Sequence, residues 1–425
     1  MVNVLEKQVS VGLFGLGNVG TGIVKALDGH HDLIRKRSGF NVRLKTICVK
    51  NLKKAREVNT AKYRVTANSG HILDDPEISV VIEAMGGIEP ARAFIMEALE
   101  KGKHVVTANK ALISKHGQEL FELAARNGVN LAFEASVCGS IPIIKSIRES
   151  FVANSISSIY GIVNGTTNFI LTRMVNDGKS YESALEEAQQ RGFAEADPSF
   201  DVGGKDAAQK IAILSMLAFN TPVDPDTVYT EGIQDLVSED IKFAQAWGYV
   251  IKLIALARKA DGEGIDVRVH PMLVPKAHPL ANINGELNSV YLIGDLVDGQ
   301  MFSGKGAGPL PTASAMISDV IDVMKSAALI RNFNSLPLVD INNLEFSYYV
   351  RFPVIDQPGV LCRIAKVLAT DGVSIAELVQ PTGNETVPII IRTHKAKERA
   401  MRHAFDEINR LPIVKKGAVM IRIQE

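Results

Sequence analysis

The sequence predicts an α/β protein with three parts: a parallel-sheet domain over 1–150, an α+β domain over 151–310, and a C-terminal βαββαβ module over 348–425, joined by a linker at 331–347. Three observations carry this prediction. Short apolar runs alternate with helical patterns through the first part. A G-x-G-x-x-G triplet joins the first apolar run to the first helical pattern. After the linker the chain returns to short strands and two amphipathic helices in the order of a split ferredoxin-like unit.

Composition narrows the function. The 425 residues are 46% hydrophobic and 22% charged, and 47 Lys and Arg balance 47 Asp and Glu, which argues against nucleic acid or an acidic membrane surface as a partner. The three cysteines, Cys48, Cys138 and Cys362, are too sparse for a disulfide framework or a zinc site and suit a reducing compartment. The opening residues carry charge ahead of an apolar run, so they read as a first strand and not as a signal peptide. A cytoplasmic location is expected.

The first strand, Val9 to Phe14, leads into Gly15-Leu16-Gly17-Asn18-Val19-Gly20 and then a helical pattern from Thr21 to Leu27. This is the strand–turn–helix context of a Rossmann-type dinucleotide site. The glycines permit a tight turn and close backbone approach to a pyrophosphate, and the helix N-terminus offers free N–H groups. Phe14, Gly15, Gly17, Asn18 and Val19 are the candidate contacts. The second strand, Val42 to Val49, ends at Lys50-Asn51-Leu52-Lys53-Lys54-Ala55-Arg56, with cations where an acid would bind a ribose 2′-hydroxyl. That favours a 2′-phosphate, hence NADP(H) over NAD(H), with Lys50 at the strand tip; Lys53 and Lys54 also fit a solvated helix start. Further strands are expected at 78–87, at 105–107 and in "NLAFEA", alternating with the helices "ARAFIMEALEKG" and "QELFELAARNGV". Their carboxyl ends bring Gly86, Lys110 and Glu134 to the edge where such sheets bind ligands. A helix over 311–330 is expected to complete this domain.

The middle part holds a strand, a turn at Asn164-Gly165-Thr166-Thr167, a helix that Thr167 or Asn168 could cap, and a second helix stopped by Gly192. Then comes "GFAEADPSFDVGGKDAAQK", residues 192–210. Asp197, Ser199 and Asp201 alternate as in a calcium loop, but Val202 stands where glycine is required and Ala208 where a bidentate Glu is required. In the helix that follows, Asp206 and Lys210 are one turn apart on a face continued by Ile213, Leu214 and Leu217, so both are expected to point inward, where charges need partners or a task. With Glu195 on the preceding loop, they could grip an amino acid, the carboxylates taking its ammonium group and the lysine its reacting oxygen.

These pieces, "GLGNVG", "EAMGG", "VVTANKALIS", "FEASVCGSIPII", "GIVNGTTNFIL", "GFAEADPSFDVGGKDAAQKIAIL" and "GKGAGPLPTASAM", run in order over most of the chain, and together they resemble homoserine dehydrogenase. The resemblance implies reversible NAD(P)H-dependent reduction of L-aspartate 4-semialdehyde to L-homoserine, on the route to threonine, methionine and isoleucine. It implies Lys210 as proton donor, Glu195 and Asp206 as substrate-binding acids, and Lys110 at the junction of nicotinamide and substrate. It also implies cofactor contacts from Gly192 and from the 304–308 loop through Gly306, and a sodium ion held by backbone carbonyls of Glu134, Val137, Gly139 and Ile141. Cys138 and Ser140 stand where small Ala or Gly is common, a change that leaves carbonyl ligands in place. A homodimer or homotetramer is expected. With no room for a fused kinase before residue 9, a single activity is expected.

The turn Asp356-Gln357-Pro358-Gly359-Val360-Leu361 resembles the opening of an ACT domain, which implies an amino-acid effector such as threonine near Gly359 and Asn384, or a pairing module without a ligand. The histidines are scattered: His104 starts a strand, and His270 and His278 read as loop residues beside prolines. Trp247 is expected to pack its helix. Two other readings stay open: a regulator that senses cofactor and amino acid without turnover, which would need neither Asp206 nor Lys210 inward, and another amino-acid or aldehyde dehydrogenase on the same scaffold.

Overall fold

The computed structural model describes residues 7–260, 264–326, 333–382 and 385–424. They fall into two compact units, the described residues of 7–159, 209–228 and 288–335 in one and those of 160–208, 229–287 and 336–424 in the other. The division passes through a single helix, Lys205–Phe219.

The first unit is organised by six parallel strands: β1 (Lys7–Phe14), β2 (Phe40–Cys48), β3 (Arg64–Thr66), β4 (Ile78–Glu83), β5 (His104–Thr107) and β6 (Leu131–Ala132). Their order is β3-β2-β1-β4-β5-β6. The order reverses at β1, so the turn after it opens at the switch point, where α/β sheets bind ligands. The last six residues of β1 are all buried, as in a strand covered on both faces. Helices Asn18–Ser38 and Pro309–Lys325 share its core, Ile23 and Val24 of the one joining Met316 and Val320 of the other. The helix expected to start at the Gln118 pattern begins at Lys110 and runs to Arg126, so Lys110 lies in a first helical turn. The strand carrying Phe133 and Glu134 ends at Ala132 and gives way to a 3₁₀ turn.

Strand β7 (Ile156–Ile162) carries the chain into the second unit. There β8 (Tyr229–Thr230) pairs with β10 (Ile265–Pro275), which also runs antiparallel to β9 (Tyr249–Lys259) over its full length. Strands β11 (Leu287–Gly294) and β12 (Asp298–Lys305) lead back into the first unit. The C-terminal residues of the second unit form β13 (Glu345–Ile355), β14 (Ile375–Val379), β15 (Thr386–Thr393), a short β16 (Ala396–Lys397) and β17 (Val419–Ile423). With helices Val360–Thr370 and Glu398–Asn409 they follow the expected βαββαβ order, in the spatial sequence β17-β13-β15-β14. This module is joined to the rest of its unit by parallel pairing of β17 with β10, Met272 opposite Arg422. A buried Asp240–Arg351 pair with two N–H···O contacts adds to the junction.

Some elements differ from expectation. Within the supposed linker, Ile265 exchanges backbone hydrogen bonds with Pro337 and Val339, and β13 already begins at Glu345. His270 lies fully buried in β10, where Pro271 sits opposite Leu253; proline in a strand misled the reading. His278 is a helix cap, its Nδ1 accepting from Leu280 N–H. His104 Nδ1 accepts from Asn130 N–H, and burial lowers its pKa. Trp247 closes helix Ser238–Ala246, and its indole donates to Glu377 at 2.7 Å. Among the described residues no helix is long and apolar enough to cross a membrane.

Candidate active site

In the first unit, the chain leaves β1 at Phe14 and turns through Gly15, whose φ of +95° is a conformation that side-chain-bearing residues rarely adopt. Helix Asn18–Ser38 then begins against that turn so closely that a Cβ on Gly20 would lie 2.3 Å from the Gly15 carbonyl. At Gly17 a Cβ would meet nothing within 4 Å, leaving its backbone open to a ligand. A cavity of about 640 Å³ opens here, walled by Leu16 to Asn18, Thr21, Lys25, Lys54 to Glu57 and Pro309 to Pro311. Arg56 pins the basic loop to the turn, donating to the carbonyls of Leu16 (2.9 Å) and Asn51 (2.7 Å). Of the sequence candidates, Gly17, Asn18 and Lys54 line this cavity, while Lys50 is an exposed residue at the tip of β2. Lys25 and the Pro309–Pro311 wall come from positions that the motif does not reach.

The strand ends beyond β1 are tied together by Glu83, a fully buried carboxylate. It accepts from Met85 N–H (2.6 Å), Gly86 N–H (3.1 Å) and the Thr107 hydroxyl (2.6 Å). Thr107 in turn receives Asn109 N–H, and Asn109 caps helix Lys110–Arg126 through Leu112 N–H. This chain of bonds fixes where Lys110 starts its helix. The strand 78–87 is expected to bring Gly86 to the ligand edge; the carboxylate that shapes that turn, Glu83, carries no local sequence signal.

Glu134 begins the third loop. Its N–H donates to Asp319, and its carboxylate accepts from Ile144 and Lys145 N–H at 2.8 and 2.7 Å. Burial raises its pKa to about 7, against the pull of those two N–H groups. Cys138 and Gly139 follow with φ of +54° and +53°, and a Cβ on Gly139 would lie 2.7 Å from the Gly306 carbonyl. The loop from Glu134 to Ile141 is therefore shaped by backbone and packs on Gly306. Two of its carbonyls are already acceptors, Glu134 O of Val137 N–H and Ile141 O of Ile143 N–H; no group of three or more His, Cys, Asp or Glu that could hold a metal occurs among the described residues.

In the second unit the acidic stretch is organised from an unexpected place. Asn164, the actual cap of helix Gly165–Asp177, accepts from Thr167 N–H through Oδ1. Its buried amide donates to Asp201 Oδ1 (2.7 Å) and to Asp206 Oδ2 (2.9 Å), so one side chain spans two carboxylates. The Thr166 hydroxyl donates to the Phe193 carbonyl at 2.6 Å and lies 3.4 Å from Asp201. Asp206 is 5% exposed, and Lys210 follows one turn later on the same helix, half-buried. Glu195 is exposed on the loop, where Gln189 donates to its carbonyl. Gly192, also exposed, takes φ +75° at the end of the preceding helix. Asp197 is a local turn residue: Ser199 lowers its pKa through its side chain and then its backbone N–H. Asn164, Thr166 and Asp201 are the residues that sequence reading missed. The available signal was an Asn followed by two threonines at a helix start, placed directly after an apolar strand.

Two family models match the chain: "Homoserine dehydrogenase, NAD binding domain" over residues 15–134 and "Homoserine dehydrogenase" over residues 142–321. The homoserine dehydrogenase of Bacillus subtilis is 40% identical over 98% of this chain and 99% of its own length. That of Pseudomonas aeruginosa is 40% identical over 99% of both. The crystal structure of a homoserine dehydrogenase from Thiobacillus denitrificans superposes with a TM-score of 0.91 at 41% identity, covering 99% of each chain. A hyperthermophilic archaeal homoserine dehydrogenase in complex with NADPH gives a TM-score of 0.63 at 25% identity over 75% of this chain and 98% of that one. With a buried aspartate bridged to a second carboxylate, a lysine one helical turn beyond it and a glycine-turn nucleotide cavity already in view, this likeness along the whole chain places it in the homoserine dehydrogenase family, NAD(P)-dependent oxidoreductases that act on a CH–OH group.

Proposed function

We propose that the chain interconverts L-aspartate 4-semialdehyde and L-homoserine with NADP(H), and that Lys210 is its proton donor and acceptor. The observation that carries this reading is the buried Asp206, held with Asp201 by Asn164, one turn ahead of Lys210 on the Lys205–Phe219 helix. Residues i and i+4 share a helix face. Asp206, assisted by Glu195, takes the substrate ammonium group. Lys210 meets the aldehyde oxygen, stabilises the charge that gathers there and gives up its proton, a contribution of about 10²–10⁴-fold for general acid catalysis. Bound NADP(H) supplies or accepts the hydride at its nicotinamide ring. In the oxidative direction Lys210 must be neutral to remove the hydroxyl proton, so oxidation accelerates toward alkaline pH.

Phe14, Gly15, Gly17, Asn18 and Val19 would hold the nucleotide, and the N–H groups at the start of helix Asn18–Ser38 would offer donors to its phosphates. The cations Lys25, Lys54 and Arg56 around the cavity favour a 2′-phosphate, as does the exposed Lys50 that follows β2; the archaeal relative solved with NADPH is in line with this preference. Lys110, Gly192 and Gly306 complete the cofactor and substrate contacts. The carbonyls of Glu134, Val137, Gly139 and Ile141 would hold sodium, whose charge would steady the loop. The C-terminal βαββαβ module acts as an ACT domain answering to threonine, near the left-handed turn at Gly359 that opens helix Val360–Thr370; Asn384 lies outside the described residues.

The deciding experiment is a spectrophotometric assay of homoserine oxidation with NADP and NAD in parallel, on wild type and Lys210→Ala across pH 7 to 10. The wild type is expected to oxidise homoserine faster with NADP and at higher pH. Lys210→Ala is expected to lose about 10²–10⁴-fold in kcat while still binding NADPH. Full turnover by Lys210→Ala would remove the proposed proton donor.

A further inference from the structure

Within the second unit, Glu231 stands where three connections meet. Its N–H donates to Val269 O on β10 at 2.8 Å, extending the β8–β10 pairing by one residue. Its carboxylate is gripped by two guanidinium groups from the C-terminal module. Arg422 of β17 reaches it at 2.8 Å through Nη1, and Arg402 of helix Glu398–Asn409 reaches it at 3.0 Å through Nη2. Arg422 is fully buried, and both arginines also pair with the buried Glu398. The Tyr229 hydroxyl closes on the same carboxylate.

The residues just after Glu231 touch the acidic loop. Ile233 N–H donates to Val202 O at 3.0 Å. A Cβ on Gly232 would fall 2.5 Å from that same Val202 oxygen. Gly204 holds φ +84°, and a Cβ there would lie 2.8 Å from Thr230 Cγ2. The segment 229–234 is thus a strap. One side is bolted to Arg402 and Arg422, and the other lies flush against the Val202–Gly204 turn. That turn joins Asp201 to the helix bearing Asp206.

We propose that Glu231 is a positioning residue for substrate binding: clamped by Arg402 and Arg422, it holds the strap against Val202–Gly204 and so sets where Asp201 and Asp206 lie. This rests on the reading of Asp206 as a substrate-binding acid. Charge-assisted guanidinium–carboxylate bonds are short, directional and stronger than neutral ones, which is what a strap needs to hold a turn in place. The contacts of the strap named above run to the Val202–Gly204 turn and to the C-terminal module, so its loosening is expected to be felt in substrate binding.

The test is steady-state kinetics on the full chain for Glu231→Gln, Glu231→Asp and Asp206→Asn, with NADPH affinity followed by fluorescence titration. Glu231→Gln is expected to raise KM for homoserine by about tenfold, the loss typical of one charge-assisted bond, with kcat within about twofold and NADPH affinity unchanged. Glu231→Asp, which restores the charge, is expected to recover part of the loss. Because both act through one group, Glu231→Gln on top of Asp206→Asn is expected to add little. Should Glu231→Gln fail to fold, Arg402→Gln, at a partly exposed position, must give the same KM-only change. A wild-type KM in Glu231→Gln, or equal losses for both substrates, overturns the proposal and leaves the reading of Asp206 standing. A wild-type KM in Asp206→Asn overturns both.

Discussion

The turn over Phe14–Val19 and the loop over Glu195–Asp206 each gather polar groups at one point, but they are made of different material. The turn is backbone: a left-handed Gly15, a Gly20 on which a Cβ would lie 2.3 Å from the Gly15 carbonyl, and free N–H groups at a helix start. The loop is side chain: one asparagine amide spanning two carboxylates, a threonine hydroxyl and a buried aspartate. A backbone site imposes fixed spacings of glycine on the sequence, since a side chain at Gly15 would strain the turn and one at Gly20 would strike a carbonyl. A side-chain network leaves no such spacing, because its members come together from positions as far apart as Asn164 and Asp206. The two regions should therefore fail differently when mutated.

The largest effect is expected on the backbone side. In Gly20→Ala the new methyl meets a backbone oxygen, which no rotamer change can relieve, so helix and turn must separate. Overpacking of this kind costs about 1–3 kcal/mol, and at its upper end NADPH affinity falls about 100-fold, together with a lower Tm. Gly17→Ala is the control, since a Cβ there meets nothing within 4 Å; it should keep its Tm and still weaken NADPH binding. Fluorescence titration and thermal melts on both variants separate the cases. Equal behaviour of the two would break the distinction between packing glycine and ligand glycine.

A smaller and more selective loss is expected on the side-chain side. Asn164→Ala removes a helix cap and the donor shared by Asp201 and Asp206. Two carboxylates then face each other without their bridge, and a lost buried hydrogen-bond partner costs about 1–3 kcal/mol. KM for homoserine should rise about tenfold or more, with NADPH affinity unchanged. A cofactor defect in this variant would show that the loop and the turn are not energetically separate.

The same contrast explains what could be read in the sequence. The alternation of strand and helix, the switch-point turn and the βαββαβ order were legible because hydrophobic period and glycine spacing are local. The burial of Asp206, with Lys210 half-buried one turn on, was legible because a charged pair on an otherwise apolar helix face violates the pattern around it. Glu83, Asn164 and Glu231 were not, because each is an ordinary polar residue whose task depends on partners up to 191 positions away, as for Glu231 and Arg422. His270 was misread for a related reason: prolines beside it suggested a loop, whereas β10 accommodates Pro271 within a long antiparallel pair.

The smallest effect belongs to a second side-chain network, gathered around Lys252. Lys252 of β9 is buried, and its ammonium donates to Asn168 Oδ1, Ile283 O and Asn284 Oδ1. Burial lowers its pKa from 10.5 to about 8. Between those values the unfolded chain keeps a proton that the folded chain has shed, so folding stability rises as pH increases through this window and is lost again as pH falls through 8. The shift sets a ceiling of about 3 kcal/mol on the gain. Lys252→Met should be less stable than wild type at every pH, because three acceptors lose their donor, but the gap should widen from pH 7.5 to pH 10. Thermal melts of the two proteins in matched buffers give the difference directly, with the titrations common to both cancelling. A constant gap would mean that the ammonium stays charged among its three oxygens. The acceptors would then outweigh the burial, and a side-chain network would hold its proton as rigidly as a backbone turn holds its shape.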